Sequence, residues 1–357
     1  MHSGVTVLVA KLWLDRSASP IGNDTHQVAP RQRPERSGLG APECETGENE
    51  TPPESTSSTL RHSRSLRAMP PLELRRLWYL DGRKMALWSE PSRRRLRRET
   101  QAISQILAPH IPRSCTHVRG HGGVKGALRQ IQRRMPKAKF VARFDIAAYY
   151  TSMRHDVIKA QVAATALDAH HRKLIADYLA LPDLQDTGVG MVASGGLSPL
   201  LGALYLTPLD RRMDRLCKGK RLVHYVRYMD DIVLLARTRW QLRRAIAALH
   251  KEITPLGLRL HRVKRFIGRT TQGFDFLGYQ IRAGARLRPS AEGLRRLRER
   301  ARQLYEREGD WHRLRQYVLR WWRWHLGGLD GMVRRKGGVK RTWHHVCTHL
   351  AGKHPPG

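Results

Sequence analysis

His224–Ala236 reads HYVRYMDDIVLLA. Two adjacent aspartates, Asp230 and Asp231, stand between two runs of strand formers: Leu222, Val223, Tyr225 and Val226 before them, Ile232–Leu235 after. A tight turn between buried strands is a costly place for two carboxylates, because like charges raise each other's pKa and desolvation adds to the cost. A divalent cation converts that repulsion into shared coordination. The hairpin therefore asks for a metal, and for a further carboxylate elsewhere in the chain.

Working outward, Phe140–Ile146 (FVARFDI) reads as a buried strand ending at Asp145, followed by Ala147–Ala148–Tyr149–Tyr150. An acid closing an apolar strand is a weak signal alone, but here it is the partner the hairpin requires. Helices are expected across Asp156–Leu181. The turn Gly195–Gly196–Leu197 then leads into an apolar helix, Leu200–Met213, with Ser198 as the capping residue and Pro199 at the first helical position. Beyond the hairpin, Gln241–Leu256 is an amphipathic helix. Leu258–Leu260 and Phe266–Ile267 are short strands, and Phe274–Ile281 (FDFLGYQI) begins another. This order implies an α+β fold built on a split βαβ antiparallel sheet with helices on one face.

Upstream, Leu72–Leu80 has helical spacing, Asp81–Gly82 a turn, and Met85–Trp88 a short strand. Pro91 opens a basic helix through Leu107, whose Arg93, Arg94, Arg95, Arg97 and Arg98 spread over more than one face. They make either a solvated charged face or, the reading favoured in so basic a chain, a phosphate-contacting surface. The segment Val118–Ala127 (VRGHGGVKGA), whose glycines follow Arg119, lacks the GxxxxGK[ST] spacing of a Walker loop. It is a phosphate-contacting turn or an ordinary connector. Downstream, Pro289–His325 is helical and basic, and Trp321, Trp322 and Trp324 read as packing aromatics rather than base-stacking ones. His344, His345, Cys347, His349 and His354 cluster in the tail without a recognised zinc spacing.

Charge locates the partner. The net charge is +36 and the sequence pI about 11.3. Residues 1–66 hold 7 Lys/Arg against 8 Asp/Glu, whereas residues 67–357 hold 59 against 22. The basic excess belongs entirely to the later part and points to a polyanion, most simply nucleic acid. Residues 16–66, rich in Ser, Pro, Gly, Thr and Glu, are expected to be disordered, and Met69 offers an alternative start. Val5–Leu14 is interrupted by Lys11 and too short for a bilayer, and it has no signal-peptide pattern. Four cysteines without CxxC spacing suit a reducing compartment, so a cytoplasmic protein with no membrane partner is expected.

Together these pieces resemble the bacterial reverse transcriptases of the retron, diversity-generating and group II intron types, from about Gly82 to Leu326. FDIAAYY resembles the family's first palm motif, YMDD its catalytic hairpin, and GGLSPLLGALYL the helix supporting template and incoming nucleotide. LGLRLHRVK resembles the segment bearing a lysine near the leaving pyrophosphate, and FDFLGY the primer grip. The resemblance implies a right-hand polymerase fold. Residues 1–66 would be an N-terminal extension, 67–139 a basic fingers-like region and 140–282 the palm. Residues 283–326 would be a helical thumb or maturase-like region, and 327–357 a basic tail.

It further implies an RNA-directed DNA polymerase, a nucleotidyltransferase adding dNTPs to a DNA or RNA primer on an RNA template. Asp145, Asp230 and Asp231 would hold two Mg²⁺ ions, with Mn²⁺ as the substitute ion and the Ile146 backbone carbonyl as a further ligand. Lys264 would stand at the pyrophosphate and Tyr150 would exclude a 2′-hydroxyl, leaving Tyr149 as a core residue. Arg83, Lys84, Arg119, Ser198, Pro199, Tyr228 and Met229 would contact substrate, and Phe276, Leu277, Gly278 and Tyr279 would form the primer grip. A cognate structured RNA is a further expected partner. Intron mobility, retron synthesis, phage defence and sequence diversification all use this core.

Two departures stand out. The family commonly carries Gln-Gly where this chain has Ala193–Ser194, and no CxxC-bearing endonuclease follows the thumb-like region. The competing reading is a catalytically silent, maturase-like RNA-binding protein. The presence of all three aspartates argues against it.

Overall fold

The computed structural model describes residues 70–80, 82–335 and 338–350. The extension 1–66, Met69 and the tail beyond residue 350, with His354, lie outside them. The organising strand is β3 (Phe140–Ala147), preceded in the chain by a hairpin of β1 (Leu74–Leu80) and β2 (Arg83–Trp88). One edge of β3 pairs antiparallel with β5 (Asp231–Ala236), and β4 (His224–Tyr228) lies outside β5. The other edge pairs first with β7 (Phe266–Arg269) and then, at its end, with β6 (Arg259–Leu260). The β3–β5 register sets Asp145 directly opposite Asp231. Because side chains alternate between the faces, a one-residue slip would carry Asp231 to the face opposite Asp145 and part the two carboxylates.

Helices α1 (Glu90–Leu107), α2 (Gly123–Arg134), α3 (His155–Ala163) and α4 (Ala169–Ala180) come before the hairpin. So do α5 (Leu197–Tyr205) and α6 (Thr207–Lys218), while α7 (Arg239–Ile253) follows it. α7 packs on β3 and β5, and α2 and α6 pack on β4. The expected α+β class, an antiparallel sheet with helices packed against it, is the one observed. Ile232, Val233, Leu234 and Leu235 are all buried. At about 2 kcal/mol for each such side chain, this run alone is a substantial driving force.

Several elements differ from the sequence reading. Leu74–Leu80 is a strand, not a helix. Its Leu and Arg residues prefer helix locally, but pairing with β2 overrides a propensity of only tenths of a kcal/mol per residue. The glycine segment is half helix: Gly122 turns the chain at φ 97°, where an added Cβ would meet Gly126 Cα at 3.1 Å, and α2 starts at Gly123. The single helix expected from Leu200 to Met213 is two, parted before Thr207–Pro208, because proline cannot continue the i→i−4 ladder. FDFLGYQI is a hairpin, β8 (Phe274–Phe276) and β9 (Tyr279–Ile281), and a short β10 (Arg288–Pro289) pairs with β9.

The basic C-terminal region is also broken. α8 (Ala291–Glu308) ends at Gly309 in the left-handed region, and Asp310 caps α9 (Trp311–Leu326), accepting from the amides of His312 and Arg313. A helix not expected from the sequence, α10 (Gly338–Leu350), packs on both. These three share a small core of Leu297, Ala301, Leu314, Val318, Val346 and Leu350. Trp322 is buried and Trp321 stacks on His325, in keeping with packing roles.

Lys125 of α2 joins this cluster to the sheet. Its Nζ donates to the Trp324 carbonyl at 2.7 Å, the His325 carbonyl at 3.2 Å and the Tyr279 hydroxyl, and lies 4.4 Å from the Trp324 ring centroid. Lys125→Met is expected to lower stability by about 2 kcal/mol, since it strands these acceptors. Urea denaturation measures the effect, and an unchanged midpoint would dismiss the junction as ornamental.

Candidate active site

The turn of the β4–β5 hairpin is Met229–Asp230, enclosed by the Tyr228–Asp231 pair. Met229 has φ 55°, at the first central position, where two-residue hairpins prefer glycine. A side chain there costs about 1–2 kcal/mol, so neighbouring contacts must hold it. They do: the Met229 amide donates to His117 Nδ1 at 2.9 Å, and its carbonyl accepts from Arg227 Nη1 at 2.9 Å.

The turn and the end of β3 bring three carboxylates to one end of the sheet. The Ile146 amide donates to the Asp230 carbonyl at 3.1 Å, and the His261 amide to the Asp145 carbonyl at 2.7 Å. Asp145, Asp230 and Asp231 are 6–7% exposed. Burial, then the charge of Asp231, raises the Asp145 carboxyl above the ordinary range. Burial followed by Asp231 and Asp145 pushes Asp230 up to about 7. Burial also raises Asp231, but Arg143 opposes it, its Nη2 donating to Asp231 Oδ1 at 3.0 Å. Lys264 lowers both Asp145 and Asp231, Arg83 lowers Asp230, and Arg296 of α8 lowers Asp231. The structure thus draws Lys264 and Arg83 into the field of the carboxylates.

The other expected residues are placed less uniformly. Lys84 Nζ donates to the Pro182 carbonyl at 3.0 Å. Arg119 stands exposed ahead of α2. Ser198 is not the helix cap, because α5 begins at Leu197 with Gly196 as cap. Fully buried, it donates to the Val192 carbonyl at 2.5 Å and lies 2.7 Å from the Tyr178 hydroxyl. The Pro199 carbonyl accepts from His117 Nε2 at 3.0 Å.

Tyr149 donates to the Gly202 carbonyl at 2.7 Å. Tyr150 is buried beside it, and its hydroxyl makes no hydrogen bond among the described residues. Burial, then Asp230, raises that hydroxyl, as burial and Asp231 raise Tyr228 to about 12. In the FDFLGY hairpin, Phe276 and Tyr279 are core. Leu277 and Gly278 form the turn, at φ 49° and 82°, and the Gly278 carbonyl accepts from the Ser290 amide at the start of α8.

Sequence reasoning passed over Arg143, His117 and the Arg227–Asp210 pair. Arg143 carried a signal, since i and i+2 on a strand share a face and it lies two residues before Asp145. Arg227 carried another, as a guanidinium inside an apolar strand must have a buried acid; that acid is Asp210. His117 carried none.

Among the described residues no three His, Cys, Asp or Glu side chains form a ready-made metal cage; of the tail cluster, the His349 side chain and His354 lie outside those described. The donor chemistry at the hairpin nonetheless fits a hard divalent cation. Crowded, buried carboxylates held toward protonation by one another are relieved by a cation that takes oxygen ligands. No helix is long and apolar enough to cross a membrane among the described residues.

No curated protein matches the sequence. Similar solved structures include apo telomerase from Candida tropicalis, at TM-score 0.48 and 11% identity over 79% of this chain and 58% of that one. The same organism's telomerase in complex with a TWJ fragment of telomeric RNA gives 0.46 and 9% over 79% and 61%. Candida albicans telomerase with such a fragment gives 0.43 and 11% over 74% and 48%. The chain thus spans about half to three-fifths of the length of these proteins. Residues 92–281, more than half of the chain, match the reverse transcriptase (RNA-dependent DNA polymerase) family. That span holds Asp145, Asp230, Asp231 and Lys264, and the chain belongs to this family of nucleotidyltransferases, whose members generally use divalent metals.

Proposed function

We propose that the chain is an RNA-directed DNA polymerase of the bacterial retron, diversity-generating or group II intron type, cytoplasmic, extending a DNA or RNA primer with dNTPs on an RNA template. The observation carrying this reading is that all three aspartates are retained and meet at one end of the sheet. A protein kept only for RNA binding has no use for three carboxylates that raise one another's pKa.

Asp145 and Asp230 are the residues to hold divalent cations, two Mg²⁺ ions or Mn²⁺ in their place, with Asp231 and the Ile146 carbonyl alongside. When bound, such ions supply charge neutralisation at the attacking and leaving oxygens of phosphoryl transfer. Arg143 donates to Asp231 and offsets its charge, which supports Asp145 and Asp230 as the principal ligands with Asp231 completing the acidic site. Lys264 and Arg83 add positive charge where a triphosphate is to be bound. The basic surface of α1 suits the phosphate backbone of template and primer, and a cognate structured RNA would lie on the same kind of surface.

The test is primer extension on poly(rA)/oligo(dT) with dTTP and Mg²⁺. Incorporation is expected, and none by folded protein on several templates would overturn the reading in favour of a silent, maturase-like RNA binder. Tyr150, buried between Tyr149 and Asp230, is the proposed sugar filter. Tyr150→Ala is expected to raise ribonucleotide incorporation about tenfold relative to dNTP, the scale of a lost steric contact of 1–2 kcal/mol. An unchanged dNTP/rNTP ratio would remove Tyr150 from that role.

A further inference from the structure

The strained turn that carries Asp230 is held from two sides, and both holds run to one helix. His117 accepts the Met229 amide on Nδ1 and donates from Nε2 to the Pro199 carbonyl at 3.0 Å. Arg227 donates from Nη1 to the Met229 carbonyl and from Nη2 to the Ala203 carbonyl at 3.3 Å. Pro199 and Ala203 are one turn apart on α5. Gly202, between them, takes the Tyr149 hydroxyl. The ends of α5 leave carbonyls without intrahelical partners, and two of these, Gly202 and Ala203, are where Tyr149 and Arg227 attach.

His117 is itself fixed. The segment before it runs alongside Arg227: the Arg227 amide donates to Ser114, and the Thr116 amide and hydroxyl both donate to the Arg227 carbonyl, at 2.8 and 3.0 Å. The ring meets Tyr228 edge-on with centroids 5.8 Å apart. Such an arrangement uses one donor and one acceptor of a neutral imidazole, as both ring nitrogens have defined partners.

We propose that His117 is a positioning residue for the polymerase reaction, suspending the Met229 amide from α5 so that the Asp230 carboxylate is delivered to Asp145. Three features carry it. The residue gripped adopts a backbone conformation that side chains disfavour. The next residue is a carboxylate whose placement the chemistry depends on. The other end of the link is the helix that also anchors Arg227 and Tyr149. An ångström of misplacement at such a site costs about a hundredfold in rate. The proposal rests on the polymerase reading, and wild-type extension in the same assay is the control that tests that reading separately.

The experiment compares His117→Leu, His117→Asn and His117→Gln in single-turnover extension, with dNTP titration and thermal melting of each. Asparagine places its amide where Nδ1 lies, and glutamine where Nε2 lies. The expected result is a fall of about tenfold to a hundredfold in maximal rate for His117→Leu, with KM for dNTP within about threefold of wild type. His117→Asn, which keeps an acceptor for the Met229 amide but loses the donor to Pro199, is expected to recover part of the rate, and His117→Gln, which keeps only the donor, is expected to recover less. Equal losses in His117→Asn and His117→Leu, tracking equal losses in melting temperature, would overturn the proposal by reducing His117 to packing. So would a His117→Leu rate within threefold of wild type.

Discussion

Asp230→Asn is expected to lower primer extension by about a thousandfold or more. On the proposed mechanism the carboxylate would supply several kcal/mol of transition-state charge stabilisation by holding divalent cations, and each 1.4 kcal/mol is a factor of ten. Asparagine keeps the shape, so the loss should appear in rate with the fold intact, and circular dichroism alongside steady-state extension separates the two. Activity within tenfold of wild type would take Asp230 out of the centre.

The same residue sets a pH dependence. Burial and the charges of Asp231 and Asp145 hold its carboxyl at about 7, against an ordinary value near 4. In metal-free protein the folded chain therefore retains a proton that the unfolded chain has released across that window. Binding more protons when folded means stability falls as pH rises from about 4 to 7. The melting temperature in EDTA should decline over this range for wild type and decline less for Asp230→Asn. Mg²⁺ should reverse the decline near pH 7, because a ligand of the native state adds to its stability. A wild-type melting temperature that climbs over the same interval would contradict the burial described for this carboxyl.

Asp210→Ala is expected to be the most destabilising single change away from the carboxylates. Arg227 and Asp210 are both wholly buried, joined by Nε–Oδ1 at 2.8 Å and Nη2–Oδ2 at 2.5 Å, and the Tyr225 hydroxyl donates to the same carboxylate at 2.6 Å. Removing one member leaves a guanidinium in the core with no counter-charge, a cost of about 3–5 kcal/mol. A domain of ordinary stability, about 5–15 kcal/mol, is brought near its limit by such a change. The double variant Asp210→Leu/Arg227→Met should recover part of the loss, as an apolar pair avoids the stranded charge. Urea midpoints measure both. Additive losses in the double variant would mean that the pair does not act as a unit.

The hairpin, the strand ending in Asp145 and the sheet that joins them were legible because their signals are local and doubled. Apolar runs mark the strands, and paired acids in a turn are anomalous enough to demand an explanation. Leu74–Leu80 was misread because its own residues favour helix, and only β2, across the Gly82 turn, makes it a strand. α10 was missed because a glycine-rich, basic composition hides a helix whose Val346 and Leu350 find partners only on α8 and α9. Arg227 offered a clue in its unlikely surroundings. His117 offered none, as its two partners, Met229 and Pro199, are brought to it by tertiary structure alone. Ser198 was legible as a helix-start residue, but the cap lies two positions earlier at Gly196, and the Ser198 hydroxyl donates to the Val192 carbonyl behind the helix.

The segment that departs from the family at Ala193–Ser194 has its own employment. Its Ala193 amide donates to the Lys84 carbonyl at 2.7 Å, and the Ser194 hydroxyl both accepts from the Ala86 amide and donates to the Ala86 carbonyl. Lys84 in turn reaches Pro182 at the other end of the same segment. The free edge of β2 is thereby stitched to the stretch leading into α5. Residues 182–196 are consequently constrained in length as much as in composition. An insertion or deletion of one residue would shift both seams at once, so this loop is a poor site for grafts or tags, whereas side chains such as the exposed Leu184 are open to exchange.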